Sequence, residues 1–148
     1  MHIRSQFLAF HVSLLGCILF AWIGAETASA QVFRTEVHPI ETLTLTDQQF
    51  LTGVKDGKRT TVAGVLRIPT LSNERLPAVV LVHGSAGAAG NVDYWSQQLN
   101  GIGIATFVID YFSGRGIVET RDDQAQLGNV APILDVYSAL KLLAANPH

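Results

Sequence analysis

Three observations on the sequence predict a layered α/β protein. An alternation of apolar and polar residues between positions 41 and 69, broken by a turn signal, predicts an antiparallel pair of strands. Two short, continuous apolar runs, "AVVLVH" at 78–83 and "IATFVIDYF" at 104–112, predict strands buried on both faces. Helical patterns lie between these runs and after them. Because strand–helix–strand connections are right-handed and parallel, we expect three layers, with helices on both faces of a sheet.

The first two strands are predicted to form an antiparallel ribbon. The segment "ETLTLTDQQFL" at 41–51 alternates as a half-buried strand does, and "TTVAGVLRIP" at 60–69 is rich in β-forming residues. Between them, "KDGK" at 55–58 contains the Asp-Gly pair that favours tight hairpin turns. The predicted order is therefore ribbon, strand, helix, strand, helix.

Both helices are predicted from apolar periodicity and capping residues. The first has Asn91 as its N-cap and Gly101 as its stop. Its apolar face is predicted to contain Val92, Trp95, Leu99 and Ile102. The second follows a polar loop at 113–128, with Asn129 as its cap and Pro132 in its first turn. Its buried stripe is predicted to contain Val130, Ile133, Leu134, Tyr137, Leu140 and Ala144.

Residues 1–30 have the pattern of a secretory signal peptide. A basic start, "MHIRSQ", precedes the apolar run "FLAFHVSLLGCILFAWIGA" and the small-x-small triplet Ala28-Ser29-Ala30. We predict cleavage after Ala30 and a periplasmic or secreted protein. A membrane anchor and a lipoprotein attached at Cys17 are the alternatives. His11 interrupts the apolar run, and apolar residues continue past Cys17, so both fit less well.

The composition excludes several classes of partner. The chain has 10 basic and 12 acidic residues without a basic run, so neither nucleic acid nor an anionic membrane surface is an expected partner. No spacing of His, Cys, Asp and Glu resembles a metal site. Once the signal peptide is removed, no cysteine is left for a disulfide, because Cys17 is the only one.

The glycine-rich stretch "AVVLVHGSAGAAG" at 78–90 is the main candidate for a functional site. A nucleophile elbow requires G-x-S-x-G, but His83 occupies the position two before Ser85. Ser113 and Ser138 also lack the upstream small residue. The stretch therefore does not fit the turn that presents a catalytic serine.

Phosphate binding fits this stretch no better, and an oxyanion-binding turn fits it best. The glycines stand three apart at Gly84, Gly87 and Gly90, without the G-x-G-x-x-G order or a following lysine. Small residues after a strand instead allow the backbone to approach a substrate closely, so that N–H groups stabilise a negative oxygen. We predict the backbone at Ser85 and Gly84 as this oxyanion site, with Ser85 acting through its N–H.

The segments "PAVVLVHGSAG", "IATFVIDYFSGRG" and "ILDVYSALKLLAANP" together resemble the dienelactone-hydrolase-like branch of the α/β-hydrolases, over roughly residues 58–148. The resemblance implies a mostly parallel eight-stranded sheet and hydrolysis of small-molecule esters or lactones without a cofactor. It also implies a triad in the order nucleophile, acid, histidine, with the nucleophile elbow on the strand after a helix like the last one here. That strand would begin beyond His148, so residues 31–148 are expected to form an incomplete α/β-hydrolase domain.

Two further predictions follow from this resemblance. This chain is expected to contain no catalytic residue and to be inactive alone. Ala86 and Arg115 are candidate residues of the substrate cleft, since both follow the carboxyl end of a strand, although a structural role in the loop is the alternative for Arg115. A non-catalytic exported α/β binding or scaffold domain is the alternative for the whole chain.

Overall fold

The computed structural model describes residues 34–69 and 75–146, so the predicted signal peptide and Cys17 lie outside the described residues. Its strands are β1 (Arg34–Thr44), β2 (Lys58–Ile68), β3 (Ala78–Val82) and β4 (Ala105–Asp110). Its α-helices are α1 (Asp47–Thr52), α2 (Gly90–Gly101) and α3 (Ala131–Ala145). Single 3₁₀ turns occur at Ser113–Arg115 and Gln124–Gln126. Within these ranges, none of the helices is long and apolar enough to cross a membrane.

The four strands form one sheet in the order β1-β2-β4-β3. β1 pairs antiparallel with β2, as predicted, and β2 pairs antiparallel with β4. β3 and β4 pair in parallel, with Val80 opposite Phe107, which confirms the predicted crossover through α2. β3 forms one edge of this sheet, and no described strand pairs with its outer side.

Helices cover both faces of the sheet, so the predicted three-layer α/β class is confirmed. On one face, α3 packs over a core that contains Ile40, Val62, Leu66, Phe107 and Ile109. The Phe107 ring occupies the space above Gly64, where an added Cβ would lie 2.1 Å from the ring. On the other face, α2 packs against β4, and Asn100 donates a hydrogen bond to the Ile104 carbonyl at 2.9 Å.

The predicted strand at 41–51 is wrong in its second half, because residues 47–52 form α1. The Thr46 hydroxyl accepts the Gln49 N–H at 3.2 Å, and the Gln49 side chain accepts the Thr46 N–H at 2.9 Å. This capping box satisfies N–H groups at the start of a helix, and Gly53 ends the helix with a φ of +76°. The local capping signal in "TDQQ" therefore prevails over the alternation of apolar residues.

The predicted buried faces of both long helices are also wrong in part. In α2 the buried positions are Val92, Ser96 and Asn100, whereas Trp95 is 55% exposed. Ile102, predicted on the same face, lies just beyond the helix and is 73% exposed. In α3 the fully buried residues are Ala131, Asp135 and Ala139, whereas much of the predicted stripe is exposed, at Ile133, Tyr137 and Leu140.

Close packing of the helices explains these differences. Small side chains allow a helix backbone to approach a sheet, so the alanines of α3 face the sheet although larger apolar residues are available. Both helices also begin one or two residues away from the predicted caps. α2 starts at Gly90, after Ala89 rather than after Asn91, and α3 follows Val130 rather than Asn129.

Candidate active site

Two loops meet at the carboxyl ends of the parallel strands β3 and β4. The turn at 83–87 follows β3, and the segment at 111–116 follows β4. In α/β sheets this edge is where ligands bind, because the loops after neighbouring parallel strands converge there. The predicted residues Gly84, Ser85 and Ala86 all lie in the turn that follows β3.

The turn after β3 leaves backbone donors without partners. The Gly87 N–H donates to the Gly84 carbonyl at 3.1 Å, which closes a four-residue turn. Gly87 has a φ of +79°, and a Cβ there would lie 3.0 Å from the Val118 carbonyl oxygen, so the position requires glycine. Within residues 34–69 and 75–146, the N–H groups of Ser85 and Ala86 donate no hydrogen bond. These two amides are available to an acceptor outside the turn.

The buried side chain of His83 contacts this turn through the Gly84 carbonyl. Its buried imidazole stacks on Tyr111, with ring centroids 4.0 Å apart and planes 7° from parallel. The ring nitrogen Nδ1 lies 2.8 Å from the Gly84 carbonyl oxygen, and the Tyr111 hydroxyl donates to the His83 carbonyl at 2.9 Å. His83 therefore lies at the end of β3, with its side chain buried under the turn.

Asp110 organises the loop that follows β4. Its carboxylate accepts the N–H groups of Phe112 at 3.1 Å and Ser113 at 3.0 Å, and it also accepts the Ser113 hydroxyl. Burial opposes ionisation, but the bonds from Ser113 and Phe112 and the nearby His83 outweigh it, so the pKa of Asp110 is lowered. Asp110 therefore holds the loop as an ionised carboxylate.

Arg115, a candidate for the substrate cleft, lies in a buried ion pair. Its guanidinium donates to the two oxygens of Asp135 at 2.8 and 3.0 Å, to Thr44 Oγ1 at 2.8 Å and to the Tyr111 carbonyl at 2.7 Å. The Thr42 hydroxyl completes the set with a 2.7 Å bond to Asp135. The side chains of Arg115 and Asp135 are only 4% and 1% exposed. Arg115 therefore anchors the loop to β1 and α3.

Asp135 has no role that the sequence alone predicts. In the sequence it is the middle residue of the series Ala131, Asp135 and Ala139. In this series, a small or polar residue recurs at every fourth position along α3. A polar residue between two alanines on one helical face is a signal for a buried contact, but it does not identify the partner. Arg115 lies 20 residues earlier in the chain, so only the fold brings the two together.

A cavity of about 110 Å³ lies beside the turn. Its walls include Ser85, Tyr111, Thr120 and Pro132, so it is bounded by both loops and the start of α3. The Thr120 N–H donates to the Ser85 carbonyl at 2.8 Å and so connects the turn to one wall. In the part of the chain that the structure describes, no group of three or more His, Cys, Asp or Glu residues could hold a metal ion.

Comparison with solved structures shows the fold. A cold-adapted esterase from an Arctic intertidal metagenomic library matches with a TM-score of 0.54 and 21% identity, over 84% of this chain and 50% of its own. A protein assigned as a dienelactone hydrolase from Klebsiella pneumoniae matches with a TM-score of 0.50 and 12% identity, over 76% and 45%. The esterase Est22 has a TM-score of 0.48 and 19% identity, over 97% and 39%.

These structures are α/β-hydrolases, and the chain has the α/β-hydrolase fold, as its resemblance to dienelactone hydrolases implies. It spans about half the length of the first two. No model of a protein family matches the chain, and neither does the sequence of any curated protein.

Proposed function

We propose that this chain forms the N-terminal half of an exported hydrolase that cleaves ester or lactone bonds of small molecules. The observation that carries the proposal is the pair of amides at Ser85 and Ala86, which have no acceptor among the described residues and lie at the carboxyl end of β3, beside a cavity. The structural neighbour named as a cold-adapted esterase supports ester substrates, and the pattern of residues 1–30 supports export.

In this function, the turn stabilises negative charge. A nucleophile attacks the acyl carbon, the carbonyl π electrons move to oxygen, and the oxyanion accepts a hydrogen bond from the Ser85 N–H. A second N–H would come from the residue after the nucleophile. Gly84 has open space around its Cα, and Ala86 is small and exposed, so substrate can approach the backbone at this turn. No cofactor takes part.

The rest of the machinery lies outside this chain in our proposal. Ser85 lacks the small upstream residue of a nucleophile elbow, since His83 occupies that position and its imidazole is buried. Nucleophile, acid and catalytic histidine would then be supplied by sequence beyond residue 148, and residues 31–148 alone would not hydrolyse esters. The coding sequence past His148 tests this directly, because a strand followed by G-x-[SC]-x-G is expected there.

A matched pair of variants at Ser85 separates the roles of its amide and its hydroxyl. Ser85→Pro removes the N–H, and Ser85→Ala removes only the hydroxyl. Ser85 is the second residue of the turn, and no described residue except glycine has a positive φ, so proline fits the backbone there. In the product of the complete coding sequence, Ser85→Pro should lower kcat for p-nitrophenyl acetate about 100- to 1000-fold. Ser85→Ala should leave kcat within about threefold of the parent, since the amide is retained.

Each other result has a definite meaning. Loss of activity in Ser85→Ala would make the hydroxyl the nucleophile and refute the oxyanion role. Full activity in Ser85→Pro would show that the turn does not contact the reacting oxygen. If the product of the complete coding sequence hydrolyses no activated ester, the binding or scaffold alternative is favoured.

A further inference from the structure

We propose that His83 is a positioning residue that fixes the direction of the Ser85 N–H by holding the Gly84 carbonyl. The proposal rests on the function proposed above, in which this N–H stabilises the oxyanion. His83 itself does not touch the substrate, because its side chain is buried beneath the turn. It acts through one peptide plane.

The Gly84 carbonyl and the Ser85 N–H belong to the same peptide unit. In a trans peptide the two groups are coplanar and point in opposite directions, so fixing the oxygen also fixes the N–H. None of the described peptide bonds is cis. The orientation of this single plane therefore decides whether the turn presents a donor or an acceptor to the cavity.

Two donors hold the oxygen of that plane. His83 Nδ1 lies 2.8 Å from the Gly84 oxygen, and the Gly87 N–H donates to the same oxygen at 3.1 Å. A carbonyl oxygen can only accept, so Nδ1 is the donor in this hydrogen bond. Gly84 itself offers little resistance to rotation, because nothing lies within 4 Å of its Cβ position. The side-chain bond from His83 therefore supplies a constraint that the glycine lacks.

The imidazole is itself rigidly held. It stacks on Tyr111 at 4.0 Å and meets the edge of Phe112 at 4.6 Å. The Tyr111 hydroxyl, which donates to the His83 carbonyl at 2.9 Å, fixes the preceding peptide as well. Nε2 is buried, has no hydrogen-bond partner in the part of the chain that the structure describes, and lies 3.8 Å from Asp110 Oδ1. The ring is thus oriented by packing and by its single bond to Gly84.

Two substitutions test the role of the Nδ1 donor. His83→Phe keeps an aromatic ring against Tyr111 but removes the bond to Gly84. His83→Asn restores a donor, because Asn Nδ2 is as many bonds from the backbone as His Nδ1. In the product of the complete coding sequence, His83→Phe should lower kcat about 10- to 100-fold for p-nitrophenyl acetate with KM changed less than about twofold. His83→Asn should recover most of this loss.

A double variant distinguishes positioning from general support of the fold. If His83 acts through the Ser85 amide, His83→Phe adds no further loss of kcat in a Ser85→Pro background. Additive losses would overturn the positioning role while leaving the oxyanion role intact. If Ser85→Pro alone has no effect, the proposed function fails instead.

Amide hydrogen exchange of the 148-residue chain provides a test independent of activity. The Gly87 N–H shares the Gly84 oxygen with His83, so loosening this oxygen should raise the exchange rate of Gly87 about tenfold or more in His83→Phe. The rate should return toward the parent value in His83→Asn. An unchanged Gly87 rate in His83→Phe would overturn the inference, whatever the enzyme activity.

Discussion

Replacing Asp135 with leucine is expected to destabilise the protein by about 3–5 kcal/mol, because it leaves the Arg115 guanidinium buried without its counter-charge. The ion pair joins the loop after β4 to α3, and Thr42 connects the same carboxylate to β1. A single substitution at this point therefore acts on three parts of the fold. It also tests whether the buried face of α3 is the one seen in the structure.

The magnitude follows from the contacts that are lost. Asp135 accepts two bonds from Arg115, at 2.8 and 3.0 Å, and one from Thr42 at 2.7 Å. Charge-assisted hydrogen bonds contribute about 1.5–3 kcal/mol each, so the two Arg115 bonds alone reach the same range. The guanidinium would keep only Thr44 and the Tyr111 carbonyl as partners. Since a domain is stable by about 5–15 kcal/mol, the variant should lose a large part of its stability.

Urea denaturation followed by circular dichroism measures this loss. The double variant Arg115→Met/Asp135→Leu should regain at least half of the unfolding free energy that Asp135→Leu loses. The reason is that an apolar pair of similar volume can replace a buried ion pair at little cost. Glu119→Gln is the control, since it breaks an ion pair with Arg121 that is largely exposed, and should change stability by less than about 1 kcal/mol. A loss of less than 1 kcal/mol in Asp135→Leu, or a double variant less stable than either single one, would refute this reasoning.

Three more predictions follow from the core and from the two shifted pKa values. Gly64→Ala should destabilise the fold by about 1–3 kcal/mol in urea melts, because its Cβ would lie 2.1 Å from the Phe107 ring, and Phe107→Leu should relieve this loss. The pKa of Asp110 is lowered, so its carboxylate stabilises the fold above about pH 4, and this effect is lost as the pH falls below that value. The stability difference between the parent and Asp110→Asn should therefore be constant above about pH 4 and shrink below it. Burial and the charge of Asp135 raise the pKa of Tyr111. In a pH titration, the absorbance difference at about 295 nm between the parent and Tyr111→Phe should therefore have its midpoint above about pH 10. A midpoint at or below about pH 10 would contradict the buried placement of Tyr111. An acidic group whose pKa is higher in the folded state makes the folded protein less stable as the pH rises. The stability of Tyr111→Phe should therefore fall less than that of the parent at alkaline pH.

Local patterns were sufficient to predict the class of the fold and the position of the glycine-rich turn at the end of a parallel strand. The apolar runs at 78–83 and 104–112 indicated parallel strands, and the helix between them required a crossover, so the carboxyl ends had to share one edge. The position of Ser85 after the first of these runs placed the turn at that edge. These features depend on residues close together in the sequence, and for this reason they could be predicted.

The buried faces of the helices could not be predicted in the same way. Apolar periodicity identified one face of α3, but the sheet contacts another, where two alanines permit close approach and Asp135 meets Arg115 and Thr42. The error at 47–52 has a different cause, because the capping box around Thr46 was present in the sequence and its local hydrogen bonds prevailed.

The sequence alone determined the order of the four strands and the two long helices, the glycine-rich turn and the absence of an elbow around Ser85, since each depends on neighbouring residues and backbone preferences. Only the tertiary structure determines that Arg115 is buried against Asp135, and that His83 holds the Gly84 carbonyl while it stacks on Tyr111. The Arg115 pair and the His83–Tyr111 stack join residues 20 or more positions apart. The His83–Gly84 bond joins neighbours, but its direction depends on that stack. Such contacts form only after the chain has folded, because the burial that makes them strong is a property of the whole packed domain.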